Sequence, residues 1–257
     1  MSIVIEKRAA VTLIRLDRAD KLNALSSEML GGIIEFFTQL ELQTDVRAVI
    51  LASTSRKAFS AGTDIGSLSL LDEACAHEAS RRGQQACDAI ERARVPVIAA
   101  ISGLAAGGGC ELALACHLRV ASSDAEFMLP ETKLGMIPAY GGTQRLARII
   151  GEGRALEMML TGRRLGAGEA LRLGLVNRVT ENERLLDEAE ALAGEIALHA
   201  PLAIRACLEA VTRGLTLPLA DGLALEAELF SRLFATEDVR EGTRAFLEKR
   251  APVFQGR

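Results

Sequence analysis

The residues best suited to chemistry are two carboxylates and two corners of small residues. Glu111 follows the triplet Gly107, Gly108 and Gly109, and Glu131 follows Pro130 in a later loop. The triplet leads straight into the apolar stretch CELALAC, so its unhindered N–H groups would face outward at the positive end of a helix. Such a terminus suits an anion or a developing oxyanion. The same triplet also serves a tight strand-to-helix turn. It does not make the GxGxxG spacing of a dinucleotide loop, because Cys110 and Glu111 stand where a further glycine would be needed. A second corner, Ser60-Ala61-Gly62-Thr63, ends in Asp64, which is placed to cap a following helix.

Each carboxylate has an ordinary reading as well. Glu111 falls in the first turn of its helix, where the dipole favours it, although it is out of place among Leu112, Leu114 and Ala115 if buried. Glu131 reads equally as a solvated turn residue. Converging on one pocket beside two amide-bearing corners, the pair supplies a base, an acid and a seat for enolate charge. That is the set needed to add water across a conjugated thioester. Other chemistries fare worse. Ser60 lacks a GxSxG setting and a predicted histidine neighbour. Asp64, Glu111 and Glu131 could be drawn as a metal cluster, but helix starts and turns account for them, and no metal site is expected. The three histidines, His77, His117 and His199, are far apart with no ligand spacing, and the five cysteines contain no CxxC and read as reduced core residues.

The elements that would position these groups can be traced along the chain. IVIEKR and VTLIRLD read as strands joined at Ala9 and Ala10, and SSEMLGGIIEFFTQLELQ puts Met29, Ile33, Phe36, Phe37 and Leu40 on one helical face. The apolar strand VRAVILAS follows, then the loop FSAGTDIGSL. Residues from about Asp72 to Arg94 read as a polar helix or lid, and PVIAAISG as a buried strand. After the glycine helix come the strand LRVAS, the segment EFMLPE, the loop LGMIPAYGG and the helix TQRLARII. From about Glu183 the pattern is helical, with HAPLAIRACLEAVTRG, LPLADGLALEAELFSRLF and EDVREGTRAFLEKR as candidate helices. The class is α/β giving way to a helical tail, divided at 1–195 and 196–257. The near-continuous apolar strands suggest sheets covered on both faces. Strand-strand-helix units recur, which fits a ββα spiral, but periodicity alone does not separate it from a doubly wound sheet.

Composition bounds the partners. With 257 residues and 49% hydrophobic residues the chain can bury a sizeable core. A net charge of −4 with 4% aromatics argues against a nucleic-acid surface. No run of 18 apolar residues occurs, and the charged start MSIVIEKRAAVTLIRLDR is unlike a signal-peptide core, so a cytoplasmic protein with no membrane partner is expected.

Taken in order, these segments resemble the enoyl-CoA hydratase/isomerase, or crotonase, superfamily over practically the whole chain. The resemblance is carried by DKLNALS, FSAGTDI, PVIAAISGLAAGGGCELALACHLRVAS, FMLPETKLGMIPAYGGTQRLARIIG, LTGRRLGAGEALRLGLVNRV and FATEDVREGTRAFLEKR. It implies a spiral of ββα units with a C-terminal helical trimerisation region, and a homotrimer or homohexamer. It further implies an oxyanion hole from the amides of Thr63 and Gly108, and Glu111 and Glu131 as counterparts of the two hydratase glutamates. An acyl-coenzyme A substrate would be held by Lys21, Leu22, Ala24, Ala61, Asp64, Ile65, Gly107, Pro130, Tyr140 and Lys249, with Lys249 reaching a phosphate, sometimes from a neighbouring subunit. No separate cofactor is implied, since coenzyme A is part of the substrate. Keeping both glutamates favours a 2-enoyl-CoA hydratase giving a 3-hydroxyacyl-CoA. The alternatives are a Δ3,Δ2-enoyl-CoA isomerase, or a non-catalytic coenzyme A- or RNA-binding relative. Fatty-acid, branched-chain amino-acid and aromatic degradation would each fit. Three positions depart from the family pattern: Thr63 where alanine is common, Ala19 where proline often precedes NAL, and Ala139 where glycine is frequent beside Tyr140.

Overall fold

The computed structural model describes residues 3–257. Strands β1 (Ile3–Arg8) and β2 (Val11–Leu16) form a hairpin whose turn places Ala9 at φ +52°. A 3-10 turn (Ala19–Lys21) leads to α1 (Ser27–Leu40), capped by the Ser26 hydroxyl accepting from Met29 N–H. The face expected from spacing, Met29, Ile33, Phe36, Phe37 and Leu40, is the buried one.

From there the chain winds as a spiral. Each turn lays one strand in a first sheet, one in a second, and then a helical segment. The turns are β3 (Ala48–Ser53), β4 (Ala58–Ser60), then α2 (Ile65–Leu68) and α3 (Glu73–Glu91); β5 (Val97–Ile101), β6 (Leu104–Ala106) and α4 (Gly108–Ala115); β7 (Leu118–Ser122), β8 (Glu126–Met128), a 3-10 turn (Glu131–Leu134), then α5 (Gly142–Ile150) and α6 (Glu152–Thr161). β9 (Leu165–Gly166), α7 (Ala167–Arg172) and β10 (Arg178–Thr180) complete it. The first sheet runs β1-β2-β3-β5-β7-β10 and the second β4-β6-β8-β9. Strand order follows chain order in both, and the pairings are parallel from β2 to β10 in the first sheet and from β4 to β8 in the second. A doubly wound sheet would reverse direction from its first strand, so the ββα spiral is the fold.

Two apolar layers cover the first sheet, as its continuous hydrophobic strands require. Val49, Leu51, Val97, Ala99 and Ile101 face a core shared with α1, α3 and α4. Ile50, Ala52, Ile98 and Ala100 face Leu185, Ala189, Leu192 and Ala193 of α8 (Leu185–Ala197). The segment 72–94 is therefore a packed helix, burying Gly83, Ala86, Cys87 and Ile90, and not a loose lid. Cys87, Cys110 and Cys116 are buried as expected, whereas Cys75 and Cys207 are exposed on helix surfaces, a correction to the core reading of all five. Beyond α8 lie α9 (Pro201–Gly214), α10 (Leu219–Leu233) and α11 (Glu237–Glu248). Leu219, Leu223, Phe230 and Phe234 of this tail are exposed in the single chain.

Candidate active site

The two corners adjoin. Leu22–Leu25 pairs with Ala61–Asp64: Ala61 N–H donates to Leu22 O at 2.9 Å, Leu25 N–H to Gly62 O at 2.7 Å and Asp64 N–H to Leu25 O at 3.1 Å. The N–H of Thr63 lies between these bonds with no acceptor among the described residues. Gly62, at φ +98°, turns the chain so closely past the second corner that a Cβ would stand 2.9 Å from Ala106 O and 3.5 Å from Gly108 N. Gly108 opens α4, where the first N–H groups have no intrahelical acceptor. Two amide donors from different turns of the spiral thus flank one spot, next to the positive end of α4.

Both carboxylates border that spot. Gly107, at φ +48°, passes Glu131 so tightly that a Cβ would lie 2.8 Å from its Oε1. Glu111 is 2% exposed, and its Oε1 accepts from the N–H groups of Tyr140 at 2.8 Å and Gly142 at 2.6 Å. Burial raises its pKa to about 7, against those two amide bonds, which lower it, with the negative charge of Glu131 adding to the rise. Burial also raises Glu131, whose Oε2 is buried with no hydrogen-bond partner. Two interacting carboxylates held above the ordinary range are suited to exchanging a proton near neutral pH.

The surrounding chain explains why the site holds its shape. Asn23, fully buried at φ +54°, takes Arg18 N–H on its Oδ1 at 2.7 Å and donates to Ser53 Oγ at 2.7 Å and to the carbonyls of Ala58 and Phe59. Ser60 is spent in the same turn, donating to Asn23 O at 2.8 Å and accepting from Gly62 N–H at 3.2 Å, which removes it as a nucleophile. Arg18 pairs with Asp64 at 2.8 Å and holds that carboxyl below its usual range, while Asp64 caps α2 through Gly66 N–H. On the other side, Arg145 donates to Tyr140 O at 3.0 Å and pairs with Asp88 at 2.8 Å and Glu91 at 2.7 Å. Ser80 and Gln84 of α3 both donate to Ala139 O. The loop that clamps Glu111 is thereby tied to α3.

Of the residues singled out from sequence, Thr63, Gly107, Gly108, Glu111, Glu131 and Tyr140 meet here, with Pro130 immediately before Glu131. Lys21, Leu22, Ala24, Ala61, Asp64 and Ile65 line the adjoining paired stretches, where Lys21, Leu22 and Ile65 are exposed. Lys249 is not brought to this group within the one chain. It caps α11 in the left-handed conformation at φ +54° and is exposed. Sequence reasoning missed Arg18, Asn23, Gly142 and Arg145. Only Asn23 left a trace, as a polar residue in an otherwise apolar LNAL. No group of three His, Cys, Asp or Glu side chains among the described residues is arranged to hold a metal ion.

Residues 6–257 match the sequence family described as enoyl-CoA hydratase/isomerase. The chain belongs to that family. A short-chain-enoyl-CoA hydratase of Clostridium acetobutylicum is 38% identical over 97% of this chain and 95% of its own. A crotonyl-CoA hydratase of Syntrophomonas wolfei is 39% identical over 98% of this chain and 97% of its own. The crystal structure of an enoyl-CoA hydratase from Bacillus anthracis, 38% identical, matches with a TM-score of 0.97 over 100% of both chains. The spiral seen here is the crotonase fold.

Proposed function

We propose that the chain is a 2-enoyl-CoA hydratase, adding water to the α,β double bond of an acyl-CoA thioester. The observation that carries this reading is the pair of carboxylates, Glu111 buried and Glu131 half-buried, both raised in pKa by burial, beside two converging backbone amides. In the proposed reaction the thioester oxygen accepts from the N–H groups of Thr63 and Gly108, which draws electron density out of the double bond and stabilises the enolate as it forms. One carboxylate takes a proton from water as its oxygen adds at Cβ, and the other delivers a proton to Cα. Two amide bonds hold Oε1 of Glu111, which leaves its Oε2 for the water, and Oε2 of Glu131 has no hydrogen-bond partner that would compete for the proton it exchanges. An isomerase moves one proton with one carboxylate and has no use for the second.

The same reading has coenzyme A run over the paired stretches at Lys21–Ala24 and Ala61–Ile65. Lys249 serves a phosphate only if assembly brings it to a neighbouring site. The exposed apolar face of α10 would then be the contact of a trimer or hexamer, with 196–257 as the assembly region. No metal or redox group takes part. The proposed setting is the cytoplasm, and among the described residues no helix is long and apolar enough to cross a membrane. The test is a panel of 2-enoyl-CoA thioesters followed by loss of conjugated-thioester absorbance. Steady loss with crotonyl-CoA is expected, and no loss with any member would remove the reading.

A further inference from the structure

The space between α3 and the first turn of α4 is filled by one side chain. The ring of Tyr140, 5% exposed, lies so close to Gly83 of α3 that a Cβ there would fall 1.9 Å from Cδ1. On the other side a Cβ at Gly108 would stand 2.8 Å from Cε2. Glycine inside a helix weakens it, and at Gly83 its absent side chain is what admits the ring. At the tip, Thr63 Oγ1 donates to the Tyr140 hydroxyl at 2.9 Å, and at the base the Tyr140 N–H holds Glu111. Tyr140 therefore touches both oxyanion corners and one carboxylate, with its ring filling the space between the two helices.

We propose that the ring of Tyr140, seated by Gly83, sets the acyl-chain length that the site accepts, and that it restricts the substrate to short chains. The proposal rests on the hydratase reading. Gly108 and Glu111 are three residues apart on α4, a rise of about 4.5 Å. A thioester oxygen at the Gly108 amide and a β-carbon near Glu111 lay the enoyl group along that first turn. The carbons beyond Cβ then run into the space between α3 and α4, which the phenol ring occupies. A crotonyl group ends before it, and an octenoyl group does not.

The test compares kcat/KM for crotonyl-, 2-hexenoyl- and 2-octenoyl-CoA in the wild type, Tyr140→Phe, Tyr140→Leu and Tyr140→Ala, with circular dichroism to verify folding. The wild type should lose efficiency with each added pair of carbons. Tyr140→Ala should raise the octenoyl-to-crotonyl ratio at least tenfold, since a single methylene fitted into an apolar pocket is worth roughly 10- to 200-fold in kcat/KM. Tyr140→Phe keeps the ring and should keep the profile. Tyr140→Leu, an apolar replacement without the ring, should move in the direction of alanine and carries the test should Tyr140→Ala fail to fold. A wild type equally efficient on octenoyl-CoA would overturn the proposal, as would truncated variants that hydrate crotonyl-CoA with the wild-type length profile. A wild type inactive on every 2-enoyl-CoA would instead remove the hydratase reading.

Discussion

Replacing Glu111 by glutamine should make the protein more stable above neutral pH, even as it lowers activity. The carboxyl is buried, and its pKa rises from an ordinary 4.5 to about 7 in the folded chain. Between these values the unfolded chain ionises while the folded one keeps its proton, so folding stability falls as pH rises, and the loss is complete once pH passes the folded value. At about 1.4 kcal/mol per tenfold, the ionised carboxylate costs on the order of 3 kcal/mol relative to its neutral form. Glutamine carries no charge, and its carbonyl can still accept from the N–H groups of Tyr140 and Gly142, so it escapes the pH-dependent part. Urea unfolding of wild type and Glu111→Gln at equal concentration, at about pH 5 and about pH 8.5, reads the effect. The variant's advantage should grow by about 2 to 3 kcal/mol between these pH values, or roughly 5 to 10 °C in Tm for a chain of this size. A difference that stays constant with pH would refute the claim that burial holds this carboxyl above its ordinary range.

Two further outcomes follow from the surface and from the donor groups. Light scattering at micromolar concentration should give a trimer or hexamer mass, because Leu219, Leu223, Phe230 and Phe234 are left uncovered by the single chain; a monomer mass would contradict that. Activity should survive chelators, since the proposed chemistry uses carboxylates and backbone amides; loss on chelation and return with one particular divalent ion would contradict it.

The strands, the buried face of α1 and the helical tail were legible because hydrophobic period records which side of an element is covered. Both glutamates and both corners were visible as residue types in suggestive places. The geometry that joins them was not, because it depends on contacts distant in sequence. Glu111 is clamped by amides of residues 140 and 142, and the Thr63 corner is held by pairing with 22–25. Nothing local distinguishes Arg145 from any other helical arginine, yet it anchors the clamping loop to Asp88 and Glu91. Gly83 reads in sequence as a weak point in a polar helix, and only the ring of Tyr140 explains it. Whether segment 72–94 formed a helix or a lid was undecidable from composition, since its apolar side is narrow and consists mainly of small residues.

In the proposed hydration two carboxylates act together on one water and one enoyl-CoA. The most direct test of this joint action is the rate of crotonyl-CoA hydration, alongside 3-enoyl-CoA isomerisation, by wild type, Glu111→Gln, Glu131→Gln and the double variant. Each single change should lower kcat for hydration by roughly 10² to 10⁴ with KM little altered, and the double variant should lose far less than the product of the two. Near-normal hydration by either glutamine variant, or wild-type isomerisation without hydration, would contradict it.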